Sequence, residues 1–87
     1  MQVKRLRGPG MWQVSAMLEG LEGEDEIQAV PMTIRFQVQD GSSLVFLRAW
    51  AWGREVEAED AWAAKSWLEE TEGEILEVIE NLEAGEG

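Results

Sequence analysis

Residues 43–56 read SLVFLRAWAWGREV, and this stretch constrains the fold more than any other. Strand side chains alternate between faces with period two. Leu44, Phe46, Trp50 and Trp52 then share one face, interrupted by Arg48, and Val45, Leu47, Ala49 and Ala51 share the other. A strand apolar on both faces sits inside a sheet with something packed over each face. Leu47, mid-strand with apolar neighbours on its own face, is expected to be core, so its truncation to alanine is expected to cost about 2–5 kcal/mol.

Two further strand patterns precede it. In residues 11–21, Trp12, Val14, Ala16 and Leu18 alternate with Gln13, Ser15 and Glu19, the signature of a half-buried strand. In residues 27–39, Met32, Ile34, Phe36 and Val38 alternate with Thr33, Arg35, Gln37 and Gln39. Pro31 lacks a ladder donor and marks an edge, a bulge or the strand start. Between the two lies a glycine-punctuated acidic run, residues 19–26, read as a solvated hairpin tip. It lacks the DxDxDG order and closing Glu of an EF-hand, so no metal is assigned to it.

Asp40-Gly41 is a strong hairpin signal, and its loop length decides which aromatics are core. A two-residue turn, which Asp-Gly suits, pairs Gln39 with Ser42 and Phe36 with Val45. Phe46, Trp50 and Trp52 then join the polar face beside Arg35, Gln37 and Arg48. A three-residue loop pairs Val38 with Ser42 and Ile34 with Phe46, and buries the aromatics instead. A slip of one residue flips every side chain. The two-residue turn is the register expected here, and a bulge further along would change the parity again.

A helix is expected near residues 59–71. Glu59 and Asp60 suit its first turn, and Ala61, Ala64, Leu68 and Thr71 form a three-four stripe. Trp62 lies about 100° round from Ala61 and is a candidate exposed aromatic. Residues 74–82 (EILEVIENL) fit two forms. Ile75, Val78, Ile79 and Leu82 continue the stripe, whereas Gly73 is a helix stop and the β-branched residues favour a strand. A strand returning to the sheet is preferred, because three strands and one helix leave too little core.

The expected architecture is thus a small single α+β domain spanning residues 1–87. It comprises a three-stranded antiparallel meander (11–21, 27–39 and 43–56) followed by a helix packed on the sheet, with a fourth C-terminal strand or a helical extension. Residues 1–10 form a basic arm or a short edge strand, which is expected to lie across the acidic C-terminal third. Residues 84–87 are expected to be a disordered tail.

Charge is unevenly placed. Residues 1–54 carry six basic and six acidic side chains, whereas residues 55–87 carry twelve acidic ones and only Lys65, so the whole net charge of −11 lies in the last third. Such a segment repels nucleic acid and anionic membrane and suits a basic partner, or serves as a solvated face that keeps the protein soluble. The chain has no Cys, His or Tyr, which removes disulfides, thiolate metal sites and the commonest general bases and nucleophiles. Gly8-Pro9-Gly10 lacks the Gly-Lys-Ser/Thr of a phosphate loop. No apolar run is long enough to span a bilayer, and no signal-peptide pattern follows the basic N-terminus. A cytoplasmic, non-enzymatic protein without cofactor is expected.

The expected function is that of a protein-binding module or regulator. The candidate contact residues are Phe46, Arg48, Trp50, Trp52 and Trp62, since Trp and Arg are enriched at binding hot spots, together with Glu69, Glu70, Glu77 and Glu80 of the acidic third. The partner is expected to be a protein, either basic or nucleic-acid-binding, and a homodimer is compatible with the sequence. The alternative is an acidic decoy whose carboxylates imitate nucleic-acid phosphates. In size and charge alone the chain resembles small acidic phage inhibitors of DNA-binding machinery, including some anti-CRISPR and anti-restriction proteins. A sugar binder with Trp as platform ranks last, because so short a chain has little room for a deep pocket.

Overall fold

The computed structural model describes residues 1–18 and 29–86. The acidic run at 19–26, its metal reading and the strand ends expected at 19–21 and 27–28 lie outside the described residues. The described residues form five strands, β1 (Gln2–Arg5), β2 (Met11–Leu18), β3 (Val30–Gln39), β4 (Ser43–Ala51) and β5 (Arg54–Glu55), then two helices, α1 (Ala58–Glu70) and α2 (Glu72–Glu86). The strands make one antiparallel meander in the order β1-β2-β3-β4-β5. The α+β class and the strand-then-helix order match the sequence expectation.

The alternation in β2 and β3 works as the pattern predicts. Trp12 faces Phe36, Val14 faces Ile34 and Ala16 faces Met32, and all but Ala16 are buried. These residues form the core with Ala49 of β4, Ala64 and Leu68 of α1, and Ile75 and Ile79 of α2. Small Ala64 lets α1 sit close to the sheet. The two helices therefore cover one face of the sheet, and among the described residues nothing forms a layer on the other face.

Residues 74–82 are helical, not a strand. The stripe of Ile75 and Ile79 has a core to face, and that tertiary burial overrides the β-propensity of its branched residues. The break falls at Thr71 (φ −101°, ψ 8°) rather than at Gly73, which lies inside the first turn of α2. The Thr71 hydroxyl donates to the Trp67 carbonyl at 2.7 Å, and the Ile75 N–H donates to the Thr71 carbonyl at 2.9 Å. Residues 84–86, expected as a disordered tail, continue α2. Residues 2–5 are an edge strand, and Arg5 reaches Glu83 of α2 at 3.8 Å, so the basic segment does meet the acidic C-terminal third.

The register of β4 departs from the expected one at Ser42 and returns to its parity at Leu47, so Phe46 and Leu47 are misplaced by the expectation while Ala49 and Trp50 lie on the faces expected of them. Asp40 and Gly41 both take positive φ (54° and 74°), and the Ser42 N–H donates to the Gln39 carbonyl at 3.2 Å, the tight turn that Asp-Gly favours. The ladder nevertheless resumes with Gln39 facing Ser43 and Phe36 facing Phe46. Ser42 is an extra residue beside the turn, and it brings Leu44 and Phe46 to the helix-covered face. A second irregularity follows, because Arg35 faces Arg48 and Ile34 faces Ala49, which leaves Leu47 unpaired as a bulge. Beyond it Ala49 and Ala51 lie on the core face and Trp50 on the open one. Leu47, expected as core, is 39% exposed. The expectation that residues 43–56 form one strand also fails: the chain turns at Trp52-Gly53, and Arg54–Glu55 pair back on Trp50 and Ala51.

Candidate functional site: the open face of the sheet

Opposed residues in an antiparallel ladder share a face, so the register writes out the open face row by row. One row runs Lys4, Gln13, Arg35, Arg48 across β1, β2, β3 and β4. The next runs Gln2, Ser15, Thr33, Trp50, Glu55 across all five strands. In the first row Arg35 Nε donates to Gln13 Oε1 at 3.5 Å, and Arg48 Nε of that row lies 3.6 Å from a carboxylate oxygen of Glu55 in the second. Between the rows the Arg35 guanidinium lies over the Trp50 ring, 4.7 Å from its centre, a cation–π contact that couples the two side chains. The Ser15 and Thr33 hydroxyls lie 3.5 Å apart.

At the end of the sheet beyond Thr33 and Trp50 there is an open groove of about 520 Å³, whose walls include Met1, Met17, Pro31, Trp50 and Trp52. Met1, Met17 and Trp52 are exposed there. Trp52 stands at the first of the two turn positions between Ala51 and Arg54, which pair with each other. Both turn residues have positive φ, 55° at Trp52 and 78° at Gly53, as a type I′ turn requires. Glycine adopts that backbone freely, but a bulky aromatic there costs on the order of 1–2 kcal/mol. Trp52 is 74% exposed, so core packing returns little of that cost.

The structure separates the residues singled out in the sequence. Arg48, Trp50 and Trp52 are brought together at the open face. Phe46 is not with them; it faces Phe36 and packs against the core from the helix side. Trp62 is 72% exposed but lies on α1, across the sheet from Trp50. Glu69, Glu70, Glu77 and Glu80 are exposed on the helices and belong to a second, separate surface. Sequence reading missed Lys4 and Met17, which enter the face through the register, and Met1, which lines the groove, while Thr33 lies in the polar phase that the alternation gave it. Arg35 was placed correctly by its position in the polar phase of its strand.

Among the described residues no cluster of three or more acidic side chains is arranged to hold a metal ion, and no helix is long and apolar enough to cross a membrane. Compared with known proteins, the chain matches no family model, no curated protein and no solved structure.

Proposed function

We propose that this protein is a non-catalytic binding module that docks a partner protein on the open face of its sheet, with Trp50 and Trp52 as the anchors. The observation that carries the reading is Trp52. An exposed aromatic held in a left-handed turn position is a strained arrangement, and such strain gathers where a side chain is needed for contact. Trp50, steadied by Arg35, and the apolar groove beside it supply the rest of a desolvated hot spot: aromatic anchors, a guanidinium and a cavity to fill. The acidic helices are the rival surface, but they offer a diffuse charge rather than a shaped site.

The test is capture on the immobilised chain, wild type against Trp50→Ala and Trp52→Asn. Both variants are expected to lose the captured partner, with about 2 kcal/mol or more of binding energy removed by each. Circular dichroism must show both folded. An identical set of captured proteins on all three chains would sink the reading, and a measurable turnover by the wild-type chain would remove the claim that it is non-catalytic.

A further inference from the structure

A net charge of −11 calls for a basic partner, yet the open face calls for the reverse. Among the described residues the charged side chains along its ladder rows are Lys4, Arg35, Arg48 and Glu55, three cations and one carboxylate. Arg35 and Arg48 stand directly opposite each other, a like-charge pairing that destabilises a sheet. Glu55 relieves Arg48 alone. Arg35 is held by a neutral amide and an aromatic ring. The sheet thus keeps a row of positive charge on an otherwise acidic molecule, beside an apolar groove.

We infer that the row Lys4–Arg35–Arg48 seats an acidic, extended segment of the partner protein, whose apolar side chains enter the groove at Trp50 and Trp52. The inference rests on the docking reading above and adds the chemistry of the partner. Adjacent strands are about 4.8 Å apart, so the row from Lys4 to Arg48 spans about 14 Å. An extended chain advances about 6.8 Å for every two residues, so carboxylates at alternate positions i, i+2 and i+4 cover the same span. Three cations match such a short acidic run. They match a nucleic acid poorly, since its affinity grows with the number of phosphates neutralised and the helices repel the remainder.

Fluorescence anisotropy tests this with three labelled probes. One is a peptide in which Asp or Glu alternates with Val, Leu or Phe, the second is its Asn/Gln counterpart, and the third is an oligothymidylate. The acidic peptide is expected to bind at least about tenfold more tightly than its neutral counterpart. Its affinity is expected to fall by about tenfold or more in the combined Lys4→Gln, Arg35→Gln, Arg48→Gln variant, and steeply with salt. Lys4→Gln alone, on the edge strand away from the Trp50 stack, is expected to give a smaller loss in the same direction, and it keeps the test valid if the triple variant misfolds. Equal binding of acidic and neutral peptides, with both lost in Trp50→Ala, would overturn the charge inference and leave the aromatic docking site standing. Binding unchanged in both Trp50→Ala and the triple variant would overturn the inference and the docking reading together. Tighter binding of the oligothymidylate, no binding of any probe, or self-association of the chain abolished by the triple variant would each overturn the acidic-segment inference.

Discussion

Phe46 and Trp50 lie on opposite faces of β4, although a separation of four residues in a regular strand would put them on the same one. The bulge at Leu47 produces the switch. Phe46, placed on the helix side by the extra Ser42, packs against the core, and the bulge turns Trp50 out onto the open face, so the aromatics are divided between stability and contact.

The core side of that division is measurable. Ile34 is fully buried between Val14 and Ala49, and Ile34→Ala is expected to cost about 2–5 kcal/mol in chemical denaturation. Leu47→Ala, at the exposed bulge, is expected to cost less than about 1 kcal/mol. Equal losses would mean that Leu47 is packed.

Trp52→Asn separates fold from contact. Asn accepts the left-handed turn position that Trp strains to hold. The variant is expected to gain about 0.5–1 kcal/mol of stability, a rise of roughly 4 °C in Tm, while losing the captured partner. A drop in Tm would show that the Trp52 side chain supports the fold.

Gly10 is expected to tolerate no side chain. Its φ is +69°, and a Cβ there would meet the Val38 carbonyl oxygen at 2.8 Å, where the Val38 N–H already donates to the Gly10 carbonyl at 2.8 Å. Gly41 has φ +74° with open space around it. Gly41→Ala is expected to cost about 1 kcal/mol from backbone strain alone, and Gly10→Ala distinctly more. Indistinguishable denaturation midpoints would contradict this.

Charge reversal on the helices tells the two surfaces apart. Changing Glu69, Glu70, Glu77 and Glu80 to Lys alters exposed side chains away from the open face. If the partner sits on the sheet, its dissociation rate is expected to change by less than about threefold, with any effect confined to the association rate. A large rise in dissociation rate would move the contact to α1 and α2.

Why part of this was legible in the sequence and part was not has a physical cause. The alternation of Trp12, Val14, Met32, Ile34 and Phe36 was legible because each strand has one polar phase that contrasts with the core phase. In residues 44–52 both phases are apolar, so the hydrophobic pattern gives no mark where Ser42 and Leu47 shift the ladder. Helix α2 was misread because the local preference of Val78 and Ile79 yields to burial of Ile75 and Ile79, which only tertiary packing decides. Trp52-Gly53 carries half of the usual turn signal; the glycine followed by charged Arg54 and Glu55 was the available hint. The cation row draws Lys4, Arg35 and Arg48 from three strands, so no window of sequence contains it.

The order of the elements along the chain also bears on synthesis. Among the described residues the cover for the core face of the sheet comes from α1 and α2, which begin at Ala58. A ribosome therefore delivers Trp12, Val14, Ile34 and Phe36 to solvent before any residue that shields them, and it delivers them in a segment, residues 1–54, whose acidic and basic side chains are equal in number. The helices bring the apolar lid and the repulsive charge in the same stretch. Until the last third has emerged, the nascent sheet has an uncovered apolar face and no net charge to keep copies apart, the condition in which a chain is most exposed to aggregation.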